Sequence, residues 1–144
     1  MRTMRTSQQG VMLIEALIGI LIFSLGILAI MGLQAAAIKN TIEAKYRTEA
    51  SFLTNQVIAA MWTECGVTCT TLSSFDTGGG TNPKMTGWRN DVAAKLPGVV
   101  AGAANSPTIT VAGNTVTVTV FWKIPGTDAT TRQFRSIALI NSAG

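Results

Sequence analysis

From Val11 to Leu33 the chain runs through twenty-three residues of which only Glu15 and Ser24 are polar. About 20 consecutive apolar residues are enough to cross the hydrocarbon core of a bilayer, so this run reads as a membrane segment. An ordinary secretory signal has an apolar core of about 7 to 15 residues followed by a small-residue cleavage site. The present run is longer and lacks that exit, so removal by the usual signal peptidase is not expected. Its flank, MRTMRTSQQG, carries only Arg2 and Arg5 as charges and is cytoplasmic under the positive-inside rule, which sends everything after the run out of the cytoplasm.

Glu15 is the unusual residue in this setting. A carboxylate at the centre of a membrane helix costs on the order of 2 to 3 kcal/mol, less toward the end, and such an acid is a functional hypothesis by default. Two readings are open. Glu15 sits at headgroup depth in the first helical turn, stabilised by the helix dipole, or it meets a cation. Cleavage between Gly10 and Val11 would create an ammonium at Val11, one helical turn from Glu15, where the carboxylate has no counter-ion.

At these residues the chain resembles the type IV pilin family. The short basic leader, Gly10, the apolar helix and Glu15 as fifth residue after the junction match the class III signal peptide of that family. Val11 stands where the family usually has Phe or Met. The resemblance implies a leader over residues 1–10, cut after Gly10 by an inner-membrane prepilin peptidase that also N-methylates Val11. It further implies that Glu15 pairs with the N-terminal ammonium of a neighbouring subunit during assembly. The implied partners are that peptidase, the other minor pilins, the major pilin and the inner-membrane assembly platform. The wider run to LQAAAIKNT, followed by EAKYRTEAS, is similar to the minor pilins of the family.

Composition suits an exported, membrane-anchored chain. Mean hydropathy is +0.36, and only 12% of residues are charged. The formal charge of +4 falls to +2 once Arg2 and Arg5 leave with the leader, and no basic run or aromatic-basic cluster appears, so no nucleic-acid partner is expected. About 110 residues follow Leu33, enough for one small domain with a modest core.

Helical periodicity continues past the membrane run. Ile38, Ile42, Tyr46, Ala50, Leu53, Val57 and Met61 recur every three or four residues as one apolar stripe over an amphipathic half, residues 34–62. Lys39, Glu43, Lys45, Arg47 and Glu49 fall mostly on other faces, with Glu43 and Arg47 four apart in the favourable order for an ion pair. One helix from Val11 to about Trp62 would be roughly 75 to 80 Å long. The alternative is two helices with a break near Gly26 or Gly32.

Residues 63–144 form the expected globular part. Cys65 and Cys69 lie four apart just beyond the helix, and in an exported chain the pair favours a disulfide. Zinc lacks ligands, since the chain has no histidine and no second cysteine pair. TGGGTNP, residues 77–83, reads as a loop and lacks the Gly-Lys-Ser/Thr ending of a phosphate-binding loop. Trp88, Val92 and Leu96 mark a short amphipathic helix stopped by Pro97 and Gly98, with all three as core. Ile109 and Val111, then Val116, Val118, Val120 and Trp122 after a Gly113–Asn114 turn, alternate as two strands; residues 132–140 read as a third. The expected fold is α+β and pilin-like: a long N-terminal helix packed on a small antiparallel sheet.

The acids beyond the membrane run form no recognisable pair or nucleophile motif, and no cofactor is expected, so the reading is not enzymatic. Two classes of function remain. One is structural, a minor pilin that takes part in priming a type IV pilus at or near its tip. The other is a binding module, an adhesin or DNA receptor mounted on the helix. A minor pseudopilin of type II secretion shares the N-terminal mechanism with the first.

Overall fold

The computed structural model describes residues 9–65, 71–79, 82–100, 103–126 and 130–141. Its contacts divide the chain into two units, one ending at Thr41 and the other beginning at Ile42. The first helix, α1 (Gln9–Cys65), carries residues of both, and it is unbroken at Gly26 and Gly32.

Between Val11 and Leu33 α1 is apolar on all sides but for Glu15 and Ser24, and residues 10–41 are exposed throughout. Within a bilayer every backbone polar group must be satisfied internally, which a helix does by itself. Ser24 follows the same logic: its Oγ donates to the Ile20 carbonyl at 2.7 Å, one turn back.

The second unit is a three-stranded antiparallel sheet covered on one face by helices. The strands are β1 (Thr108–Ala112), β2 (Thr115–Trp122) and β3 (Arg132–Leu139), in the order β1-β2-β3. Ala112 pairs with Thr115, so Gly113 and Asn114 form a two-residue hairpin loop. Gly113 has φ +60° and Asn114 does not leave negative φ, the combination a type II′ turn requires. Val116, Val118, Val120 and Trp122 point inward and are buried, as their alternation predicts.

Against that face lies the stripe of α1, with Ala50, Leu53, Val57, Met61 and Cys65 buried. Ile42 and Tyr46 are partly buried against the same core, whereas Ile38 of the expected stripe is 61% exposed. Among the described residues Thr54 is the one buried polar residue of this core, and it satisfies itself by donating to the Ala50 carbonyl at 2.8 Å. A second helix, α2 (Pro83–Lys95), adds Met85, Trp88 and Val92, and Leu96 closes it. The Trp88 indole N–H donates to the Leu53 carbonyl at 2.9 Å, which pins α2 to α1.

The loop expected over residues 77–83 is shorter than the sequence suggests. Asn82 is the N-cap of α2, its side chain accepting from the Lys84 N–H at 3.0 Å, and Pro83 is the first helical residue. Pro suits that position because the N–H it lacks would be unpaired there. Before it, residues Leu72–Phe75 form a 3₁₀ turn whose Leu72 and Phe75 enter the core. The expected Glu43–Arg47 pairing is also replaced. Glu43 accepts from the Arg132 Nε at 3.1 Å, because inward-facing Arg132 offers a half-buried, charge-assisted bond that outweighs an exposed pair along one helix.

Gly98 is a position where only glycine fits. Its φ is +73°, and a Cβ there would lie 2.9 Å from the Lys123 Cβ, beside the 2.8 Å bond from the Lys123 N–H to the Pro97 carbonyl. Gly98→Ala is expected to destabilise the domain by about 1–3 kcal/mol, and Leu53→Ala by about 2–5 kcal/mol. Urea unfolding of the chain in detergent, read by the fluorescence of buried Trp88 and Trp122, checks both.

Two carboxylates give this unit an acid-sensitive side. Backbone N–H groups of Val111 and Gly78, at 2.9 and 2.7 Å, hold the Asp76 carboxyl below its ordinary value. The Lys84 ammonium, assisted by Asn82, does the same for Glu64. Depressed folded-state values stabilise the fold above the unfolded carboxylate range of about 4, and that stability is lost as pH falls through the lower folded values. Denaturant midpoints should therefore fall on acidification below about pH 4, and Asp76→Asn should shrink that fall while costing about 1–3 kcal/mol at neutral pH. An unchanged pH profile in the variant would remove Asp76 from this account.

Candidate functional site

Gly10, Val11 and Glu15 all lie on the first two turns of α1. Val11 and Glu15, four residues apart, share one helix face. Gly10 is exposed, and a Cβ built on it meets nothing within 4 Å. The fold of this chain therefore places no demand for glycine at that position.

Glu15 is exposed, and the ion pairs described in this chain, Lys84–Glu64, Lys95–Glu49 and Arg132–Glu43, do not include it. Ser24 is satisfied within the helix. Of the two polar side chains in the apolar run, Glu15 is thus the one that looks outside its own helix for a partner. Around it stand sixteen large apolar side chains between Val11 and Leu33, from 42% to 72% exposed. Burying each is worth about 1.5–3 kcal/mol, so covering the segment releases on the order of tens of kcal/mol. By length and composition this part of α1 is able to cross a membrane. What it can do chemically is insert into lipid or pack along other apolar helices, with Glu15 as the sole fixed charge on that surface.

Cys65 is the last residue of α1 rather than a residue beyond it, and it is buried and disulfide-bonded. Cys69 lies outside the described residues, so the expected Cys65–Cys69 pairing is not located here. Burial of Cys65 places the bridge at the junction of helix and domain.

The domain holds a polar network that sequence reasoning passed over. Glu64 accepts from the Lys84 ammonium and, at 2.7 Å, from the Asn82 amide, tying the end of α1 to the start of α2. Asn82 also reaches the Ser74 Oγ at 3.4 Å. The signal was present in part, since Asn-Pro before a helical stretch marks a cap. Nearby, an open groove of about 270 Å³ is lined mainly by Val57, Phe75 and Trp88, with Lys84 and Asp91 at its rim. Trp88 is thus both core and groove wall. Among the described residues no group of three or more His, Cys, Asp or Glu is placed to hold a metal ion.

Non-reducing peptide mapping is expected to recover Cys65 linked to Cys69. Reduction should lower stability by only about 2 kcal/mol, the chain-entropy value for so short a loop. Two free thiols in unreduced protein would defeat the pairing. Compared with known proteins, the chain matches no family model, no curated protein and no solved structure.

Proposed function

We propose that this chain is a minor pilin: a subunit anchored in the inner membrane by residues 11–33, with its N-terminus cytoplasmic and its domain periplasmic, that joins a type IV pilus and helps prime its assembly at or near the tip. Within that family, residues 7–62 look more narrowly like the type IV pilus modification protein PilV. The observation that carries the reading is the placement of Glu15. One carboxylate, five residues after the Gly10–Val11 junction, is the single unmatched polar group on a helix surface that is otherwise apolar.

The chemistry follows from that placement. Prepilin peptidase cuts after Gly10 and methylates Val11, and the new ammonium is the cation that Glu15 lacks. Within one subunit the two stand a turn apart on the same helix, so the pairing that contributes to assembly is between neighbours. Such a pair roughly breaks even in stability, because desolvating two charges offsets their attraction. Losing one partner strands the other at about 3–5 kcal/mol, which penalises any register in which neighbouring helices slip. The carboxylate therefore selects the docking position more than it strengthens it. Gly10 supports this reading, since its own fold would accept a side chain there.

Two measurements test the proposal. Intact mass of the native protein should show a chain that begins at methylated Val11, and a large substitution at Gly10 should leave the precursor uncut in the membrane. Filament-associated protein that begins at Met1 would sink the reading. Glu15→Ala and Glu15→Gln should still be cleaved and accumulate in the inner membrane, yet enter sheared filaments or the priming complex less well than wild type. Normal incorporation of both would leave Glu15 without an assembly role. Co-purification with pilus components, as opposed to secretion components, separates a minor pilin from a minor pseudopilin.

A further inference from the structure

Each edge of a β-sheet carries backbone N–H and C=O groups that no strand within the sheet uses. Here the edges are β1 and β3, and the register identifies which residues bear those groups. The Ile140 N–H donates to the Asn114 carbonyl at 2.8 Å, one step beyond the Thr115–Leu139 pair. Bonded pairs recur every second residue along an antiparallel ladder. Arg132, Phe134, Ser136 and Ala138 therefore turn their backbone groups toward β2, while Gln133, Arg135, Ile137 and Leu139 turn theirs away. By the same rule, Ile109 and Val111 face outward from β1.

The chain closes the first edge itself. The Thr77 N–H donates to the Ile109 carbonyl at 2.9 Å, the Thr77 Oγ1 accepts from the Ile109 N–H at 3.1 Å, and the Asp76 Oδ2 accepts from the Val111 N–H at 2.9 Å. Among the described residues the second edge has no such cover. No described hydrogen bond from outside the sheet reaches the backbone of Gln133, Arg135, Ile137 or Leu139. All four residues are exposed, Ile137 by 63% and Leu139 by 58%. Of the devices that blunt an edge, β3 carries the inward-facing Arg132 and the exposed charge of Arg135, and has no proline, no lysine and no break in register.

Beside this edge, between α1 and β3, runs a trough of about 350 Å³ lined by Ala44, Arg47, Thr48, Ser51 and Phe134. Phe134, Ser136 and Ala138 are only half-buried, whereas Val116, Val118 and Val120 on β2 are fully buried. The covering helices stop short of the sheet's inner face on this side.

We infer that the open edge of β3 is a docking site for an extended segment of a partner protein in which apolar residues alternate with acidic ones. Its backbone would pair with Gln133, Arg135, Ile137 and Leu139, and its inward apolar side chains would enter the trough. Unpaired ladder groups select an extended chain as occupant, and alternate pockets select its side chains. Charge selects its acidity: the segment's alternate side chains would lie on the exposed face beside Arg135, while Glu43 is already engaged by Arg132 and Glu49 by Lys95. A second copy fits badly, since β3 contains no acidic residue to meet Arg135 of its neighbour. The inference does not depend on the role of Glu15.

The test uses the full-length chain in neutral detergent micelles and two end-blocked octapeptides, one alternating valine with glutamate and one alternating valine with lysine. The acidic peptide should bind at least about ten-fold more tightly at low salt and slow amide exchange at Arg135, Ile137 and Leu139 but not at Ile109 or Val111. Arg135→Glu should abolish the preference for the acidic peptide. Ile137→Pro removes an outward N–H without costing a β2–β3 bond, so it should abolish binding with the fold intact. If that variant unfolds, the charge reversal carries the test alone. Equal binding of the two peptides, no binding, protection outside β3, or self-association through β3 in the absence of peptide each overturns the inference.

Discussion

A three-stranded sheet with one apolar face is not stable alone in water, and everything in the domain depends on what covers that face. The cover is the stripe of α1 from Ile42 to Cys65, with Leu53, Val57 and Met61 packed among Val116, Val118 and Val120. Those three strand positions come from one alternating run, and the helix positions recur at the helical period, so each side presents a continuous ridge. α2 and the 3₁₀ turn then seal the flank, the Trp88–Leu53 bond holding the junction with a polar contact that costs the core nothing. The same helix that covers the sheet also carries the apolar segment, which is long and apolar enough to cross a membrane.

This dual service explains the distribution of polar groups along α1. Between Val11 and Leu33 each polar group must be answered, because lipid or a neighbouring apolar helix supplies no water. Ser24 is answered by its own helix and Glu15 is not. From Ile42 onward the charges lie off the buried stripe or find partners in the domain: Glu43 with Arg132, Glu49 with Lys95, Glu64 with Lys84. These pairs are at least partly exposed and contribute little individually. Their effect is to fix which turns of α1 meet α2 and β3.

The sheet itself is finished unequally. The Asp76 Oδ2 and the Thr77 hydroxyl and N–H close the edge of β1, and the bond from Val111, with that from Gly78 to Oδ1, also favours ionised Asp76. Among the described residues β3 has no equivalent segment. An edge left open is normally a route to aggregation, and the segment inferred to dock here would meet the trough on one face and Arg135 on the other.

Much of this was legible in the residues. Periodicity and length alone identify the apolar segment, the stripe from Ile42 to Met61 and the inward face of β2, because burial acts on runs of side chains whose spacing is set by local backbone geometry. The Gly113–Asn114 turn and the isolated acid at Glu15 are readable for the same reason: a turn needs its own residues, and a charge among apolar neighbours needs no fold to be conspicuous. The pairings were not legible. Glu43 has a plausible partner four residues away in Arg47, yet it bonds Arg132 across eighty-nine residues. Nothing local distinguishes Asp76 and Thr77 from other loop residues, nor marks β3 as the open edge. Strand order, register and the reach of side chains across the core are set by global packing, where distant groups compete for the same partner. Only the tertiary structure decides that competition.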